Sequence, residues 1–235
     1  MSELLQVENL SAGYGEAVVL QDVSFSLAEG QTLALLGRNG TGKTTLMDTL
    51  AGATRQHGGS MRLGGVSLNR LASHERAAAG IGWVPQERNI FKSLTVEENL
   101  RAAGSLLPAR EVGAALSEVW SVFPELAERK RQKAGTMSGG QQQMLAIGHA
   151  LMCRPTYLLI DEMSLGLAPL IVKRLGRVVR DLAAQGKGIL LVEQFVEVAL
   201  GLASHVVVLR KGAVRLSVHP DEVRADRARL TQAYL

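Results

Sequence analysis

Apolar and polar positions alternate through the opening segment. Leu4-Leu5-Gln6-Val7-Glu8-Asn9-Leu10, Val18-Val19-Leu20 and Val23-Ser24-Phe25-Ser26-Leu27 read as paired strands that stop at Glu29-Gly30. A continuous apolar run, Thr32-Leu33-Ala34-Leu35-Leu36, then leads through glycines into a helix-like run from Thr44 to Leu50. Past Gly58-Gly59 comes a short strand pair around Met61-Arg62-Leu63 and Val66-Ser67-Leu68, then a helix over Ser73–Ala79 that Gly80 stops. Ile81-Gly82-Trp83-Val84-Pro85-Gln86 reads as a strand leaving a sheet.

From Asn89 to Arg154 the period turns helical. Thr95 offers a cap with Glu98 three residues on, and Val112, Ala115, Leu116, Val119, Trp120 and Phe123 recur at helical spacing. Residues 89–154 therefore read as a helical subdomain inserted between 1–88 and 155–235, with Glu128–Lys133 as a charged connector after Pro124. Strand-like runs return at Tyr157–Ile160 and Ile189–Val192. Between them a helix after Pro169 turns Ile171, Leu175, Val178, Val179 and Leu182 inward and Lys173, Arg177 and Arg180 outward. Val206–Leu209 and Ala213–Leu216 suggest a hairpin through Lys211-Gly212, and the tail from Asp221 to Leu235 reads as helical.

Composition narrows the function classes. A chain of 235 residues can bury a sizeable core, and 26 basic against 22 acidic residues give a net charge of +4. That charge is scattered apart from Arg129-Lys130-Arg131, so nucleic acid is not an expected partner. Cys153 is the only cysteine, which excludes an internal disulfide and a multi-cysteine metal site. The opening Met1–Leu5 lacks a basic region and a long apolar stretch, and the longest apolar runs are strand-sized. Work at a membrane would need another chain as the anchor.

Four stretches carry candidate chemistry. Gly37-Arg38-Asn39-Gly40-Thr41-Gly42-Lys43-Thr44-Thr45 fits G-x-x-x-x-G-K-[ST] between a strand and a helix, the setting of a phosphate-binding loop. There backbone N–H groups and a helix N-terminus face the phosphates, Lys43 reaches the β- and γ-phosphates, and Thr44 holds magnesium. Ser138-Gly139-Gly140-Gln141 opens a second helix; it reads as a capped start or as a second anion site without a lysine. Asp161-Glu162 ends a buried strand; the pair reads as a cap for the next helix, or as a magnesium-shell carboxylate beside one that orients an attacking water. Tyr14 reads as a turn residue or a stacking face for a base, and Gln86 as a loop residue at a strand end where α/β sheets place ligand contacts.

Taken together in this order and separation, these motifs resemble the ATP-binding subunits of ABC transporters over essentially the whole chain. The resemblance implies an α/β fold: a P-loop NTPase (RecA-like) core with an N-terminal antiparallel β subdomain and an inserted α-helical subdomain. It implies ATP and Mg2+ as cofactors and an ATP-sandwich dimer in which the signature of one subunit faces the nucleotide of the other. By that resemblance Tyr14 stacks on adenine, Thr44, Gln86 and Asp161 hold magnesium, Gln86 senses the γ-phosphate, and Glu162 polarises the water. Ser138, Gly139, Gly140 and Gln141 then act on the partner's ATP.

A narrower resemblance rests on Ser164-Leu165-Gly166-Leu167-Ala168-Pro169, Leu190-Leu191-Val192-Glu193-Gln194, Gln141–Ile147 and the closing Ala233-Tyr234-Leu235. These residues are similar to the ATPases of branched-chain amino-acid importers, the type with glutamine, here Gln194, in place of the switch histidine. Urea and short-chain amide importers are close relatives, and lipopolysaccharide exporters also use a separate single cassette. The importer type implies a different second cassette that keeps the histidine, two permease subunits, a periplasmic binding protein, and a place on the cytoplasmic face of the inner membrane. The wider family has leucine at Met137, proline at Met163, often aspartate at Ala168 and arginine at His149. The Met163 exchange suggests a looser turn at Glu162, and His149 reads as a helix-surface substitution.

Overall fold

A computed structural model describes residues 4–234; the Met1–Glu3 part of the opening segment and the terminal Leu235 lie outside them. Two sheets organise the chain. The first is antiparallel, in the order β2 (Ala17–Ala28), β1 (Leu4–Tyr14), β4 (Arg55–Leu63), β5 (Val66–Ser67). The second has the order β10 (Ala213–Val218), β9 (His205–Arg210), β3 (Thr32–Leu36), β8 (Gly188–Val192), β7 (Tyr157–Asp161), β6 (Ile81–Val84). Its pairs are parallel except the β9–β10 hairpin at one edge.

The apolar run of β3 is continuous because both of its faces are covered. Leu33 and Leu35 face the first sheet and α1 (Lys43–Ala51), whereas Ala34 and Leu36 face α8 (Val196–Leu202), α9 (Pro220–Ala225) and α10 (Arg227–Tyr234). On β7, Leu158 and Ile160 face α6 (Gly139–Met152) and α7 (Pro169–Ala184), and Leu159 faces the first sheet. The short α2 (Ser73–Ala78) precedes β6, and between β6 and β7 stand α3 (Val96–Ala103), α4 (Ala109–Val122), α5 (Pro124–Ala127) and α6, packed on Leu100, Val119, Phe123 and Ile147. The Thr95 cap forms as expected: Thr95 Oγ1 accepts from the Glu98 N–H, and the Glu98 carboxylate accepts from the Thr95 N–H at 2.8 Å.

Strand lengths differ from the pattern reading for a physical reason. The two short runs Val18–Leu20 and Val23–Leu27 are one strand, β2, whose pairing with β1 shifts register between Leu20 and Val23, with Asp22 at φ 52°. Likewise Gly58-Gly59 lies inside β4 and not before it. A Cβ on Gly59, at φ 81°, would sit 2.4 Å from the Asn9 carbonyl oxygen, so the glycine is needed by a close backbone approach. The hairpin through Lys211 and Gly212 is present, both residues having positive φ as a tight two-residue turn requires.

Candidate functional site

The second sheet brings distant segments together because adjacent parallel strands end at one level. Leu35 pairs with Val192, Val192 with Asp161, and Ile160 with Val84. The residues just past those four ends are the glycine loop from Gly37, Gln194, Glu162 and Gln86, so they share the carboxyl edge of the sheet. A cleft of about 340 Å³ is lined there by Tyr14, Asn39, Gly40, Gly42, Lys43, Thr44, Thr45, Gln86, Glu162 and Gln194, together with Val19 from β2. The cleft thus joins ten of the residues singled out in the sequence.

The loop is wound by its glycines. Gly37, Gly40 and Gly42 have φ of 150°, 77° and 104°, and the helix begins immediately at Lys43 with Gly42 as its left-handed cap. Lys43 is buried and folds back, donating from Nζ to the carbonyls of Gly37 at 2.8 Å and Arg38 at 3.0 Å. Burial lowers its pKa, and the carboxylates of Glu162 and Asp161 oppose that shift. Thr41 Oγ1 donates to the Arg38 carbonyl at 2.8 Å, closing the loop on itself. The result is a glycine-wound loop closed on itself around an ammonium at the start of a helix, a setting suited to a polyphosphate.

Opposite the loop, Glu162 is held by two carboxamides. Gln86 Nε2 donates to one carboxylate oxygen at 2.8 Å and Gln194 Nε2 to the other at 2.7 Å. Glu162 itself stands at φ 52°, and its N–H donates to the Val192 carbonyl at 3.0 Å. Asp161 is 3% exposed, and its pKa is pushed up to about 6 by burial and then by the Glu162 charge, against the lowering effects of Lys43 and a bond from the Thr44 side chain. Among the described residues no group of three or more His, Cys, Asp or Glu side chains can hold a metal ion. One carboxylate bonded to one hydroxyl fits an ion that keeps waters and shares its remaining ligands with phosphates, as Mg2+ does.

Several residues stand elsewhere or differently. Tyr14 is half exposed at the cleft rim and donates from its hydroxyl to Asp48 Oδ2 at 2.8 Å, a tether its flanking glycines gave no sign of. Ser138, Gly139 and Gly140 do not line the cleft; Ser138 caps α6 in a reciprocal box with Gln141. Met163 is fully buried among helical-core side chains. Ser164 next to it donates from its N–H at 3.1 Å and from Oγ at 2.5 Å to the buried Glu193, so the turn at Glu162 is pinned where the missing proline suggested looseness. Burial raises the pKa of Glu193, and the Ser164 hydroxyl and N–H and the Gln194 and Phe195 N–H groups counter it. Motif spacing passed over Glu193; its signal was a lone carboxylate ending an otherwise apolar strand.

His149 does not stand on an open helix surface. It is partly buried, that burial lowers its pKa against the raising effect of a bond with the Asn99 backbone, and its ring lies 6.1 Å from that of Phe91. It lines a groove of about 260 Å³ with Arg76, Trp83, Ala103 and Cys153. The buried Nε2 of His149 and Nε1 of Trp83 have no hydrogen-bond partner among the described residues.

A phosphate-binding loop, a carboxylate pair at the neighbouring strand end and a capped glycine helix on an inserted helical segment define a nucleotide-hydrolysing cassette. The ABC transporter family model matches residues 20–164, and the chain belongs to that family of ATPases. The chain is 42% identical over 211 residues to the high-affinity branched-chain amino acid transport ATP-binding protein BraG of Pseudomonas aeruginosa, covering 90% of this chain and 91% of that protein. It is 34% identical to the lipopolysaccharide export system ATP-binding protein LptB of Acidithiobacillus ferridurans, covering 100% and 98%. A solved ATP-binding subunit of an ABC transporter superposes with a TM-score of 0.84 at 29% identity, over 98% of this chain and 97% of that one. Among the described residues no helix is long and apolar enough to cross a membrane.

Proposed function

We propose that this chain hydrolyses ATP to drive uptake of branched-chain amino acids, as one of two unlike cassettes beneath two permease subunits that receive solute from a periplasmic binding protein. The chain then sits on the cytoplasmic face of the inner membrane. The observation that carries the ATPase half is Glu162, suspended between Gln86 and Gln194 across the cleft from the Lys43 loop. The substrate half rests on the likeness to BraG.

In this reading Gly37–Thr45 hold the triphosphate and the Tyr14 ring, kept at the cleft rim by Asp48, stacks on adenine. Thr44, Gln86 and Asp161 would hold magnesium, which supplies positive charge to the β- and γ-phosphate oxygens. Glu162 accepts a hydrogen bond from the attacking water and aligns its lone pair, while Gln86 and Gln194 fix the carboxylate. Gln194 donates one hydrogen bond toward the phosphate and takes up no proton. Ser138, Gly139, Gly140 and Gln141, away from this chain's own cleft, serve the nucleotide of the facing cassette. Residues 89–154 form the helical subdomain that carries this signature, and 1–88 with 155–235 form the nucleotide core.

The groove lined by Trp83 and His149, whose ring lies 6.1 Å from that of the exposed Phe91, is the proposed seat of a short permease helix. Phe91→Ala or Ile90→Asp should lower transport and spare ATP binding. The deciding experiment is uptake into proteoliposomes holding the assembled transporter. Leucine uptake that needs ATP and an intact Glu162 supports the reading. Uptake of urea or short amides alone, or extraction of lipopolysaccharide, replaces the substrate assignment.

A further inference from the structure

The segment just past Gln86 reverses sharply. Arg88 and Asn89 are consecutive non-glycine residues with φ of 63° and 43°, the Arg88 N–H donates to the Pro85 carbonyl at 3.1 Å, and the Asn89 N–H to Glu87 at 2.8 Å. Left-handed backbone at two such residues persists where the surroundings over-determine it. Here the surroundings are two glutamines of α6. Arg88 Nε donates to Gln143 Oε1 at 2.8 Å, and Nη1 to Gln142 Oε1 at 3.4 Å.

Gln143 is 2% exposed, and its own Nε2 has no partner among the described residues, so the bond from Arg88 to Oε1 is what ties this buried carboxamide down. Gln142 passes the contact on, donating to the Ala134 carbonyl at 3.1 Å. The guanidinium also lies against the start of the helix: a Cβ on Gly139 would stand 3.4 Å from Nη1. Among the described residues Arg88 makes no ion pair, although its charge is always on. A guanidinium spent on two carboxamides is held by geometry and is not neutralised. From Glu162 the path runs through Gln86, the single residue Glu87, Arg88 and Gln143 to the helix that presents Ser138, Gly139 and Gly140.

We propose that Arg88 is a positioning residue for hydrolysis at the facing cassette's ATP: through Gln143 it fixes the placement of Ser138–Gly140 relative to the loop that carries Gln86. The inference rests on the ATP-sandwich reading above. It assigns Arg88 an effect on the site to which this chain lends Ser138–Gly140, and little effect on the site built on its own Gly37–Thr45 loop and Asp161-Glu162 pair.

The test uses the two-cassette complex with one site silenced at a time. With Glu162→Gln in this chain, the surviving site combines the partner's phosphate loop and carboxylate pair with Ser138–Gly140 of this chain. There Arg88→Met should slow single-turnover hydrolysis about tenfold, with the ATP concentration for half-maximal rate within twofold. With the partner's catalytic glutamate silenced instead, Arg88→Met should leave the rate within twofold. Gln143→Leu should reproduce the loss, and the double variant should be no slower than either single one, as residues acting through one contact behave. Equal slowing at both sites, no slowing at either, or additive losses overturn the inference. If the Glu162→Gln complex fails to close on MgATP at all, the cassette pairing itself falls and Arg88 loses its role with it.

Discussion

Gln194 offers the sharpest quantitative test of the cleft. Its Nε2 supplies one of the two hydrogen bonds that hold the Glu162 carboxylate, at 2.7 Å, the other coming from Gln86 at 2.8 Å. A hydrogen bond to a charged group is worth about 1.5–3 kcal/mol. If that bond, or its replacement on the phosphate, persists in the transition state, Gln194→Ala raises the barrier by that amount, which is about 10- to 150-fold in rate. The loss should fall on kcat, because the Lys43 loop that grips the phosphates is untouched. Gln194→His restores a donor and adds a group that becomes cationic near neutral pH. It should therefore speed this chain's site, which we expect to run about tenfold slower than the partner's, or about 1.4 kcal/mol of barrier. The assay is single-turnover hydrolysis in the two-cassette complex with the partner's catalytic glutamate silenced. An alanine variant within twofold of the parent would refute the claim that Gln194 positions the reacting groups, and a histidine variant no faster than the parent would refute the asymmetry.

Three further outcomes follow from named contacts. Lys43→Ala removes the ammonium inside the loop and should abolish measurable ATP binding by a fluorescent nucleotide titration; unchanged affinity contradicts the loop assignment. Asp161 has a folded pKa raised to about 6 from 3.8, so without nucleotide it takes up a proton as pH falls through 6, and that uptake favours the folded state below pH 6. Cation binding must expel this proton, so MgATP affinity should fall as pH drops below 6 while ATP without metal does not weaken in parallel, both read by calorimetry; equal pH slopes contradict the role of Asp161. Asn99 is buried, accepting from the Phe91 N–H at 2.8 Å and donating to the carbonyls of Phe91, Leu94 and Thr95. Asn99→Leu orphans the Phe91 N–H, while the three carbonyls keep their backbone donors, and should cost about 2 kcal/mol, roughly a 4–8 °C lower midpoint in thermal unfolding; a shift under 2 °C contradicts it.

The sequence was most legible where chemistry and period coincide. The glycine loop declared its strand and helix, and the apolar runs at Leu33–Leu36, Leu158–Ile160 and Ile189–Val192 gave the central strands, because a strand covered on both faces has no polar positions to confuse with a helix. It was less legible where tertiary contact decides. Nothing local joins Val18–Leu20 to Val23–Leu27 across Gln21-Asp22; the pairing with β1 does. His149 looks like a surface residue on a helix until Phe91 and Trp83 arrive from other segments. The same holds for Glu193, whose partner Ser164 lies 29 residues away, and for Arg88, whose partner Gln143 lies 55 residues away. Side-chain bonds over such distances leave no periodic trace.

In the proposed pairing each nucleotide is enclosed by two chains, the loop of one and the Ser138 helix of the other. The most direct measurement is the mass in solution, by light scattering, of the Glu162→Gln chain mixed with its partner cassette, with and without MgATP, and again with Ser138→Arg added. A two-cassette particle is expected only with MgATP, and it should be lost in the Ser138→Arg variant although this chain still binds ATP with unchanged affinity. A particle that forms equally without nucleotide, or that tolerates Ser138→Arg, would contradict it.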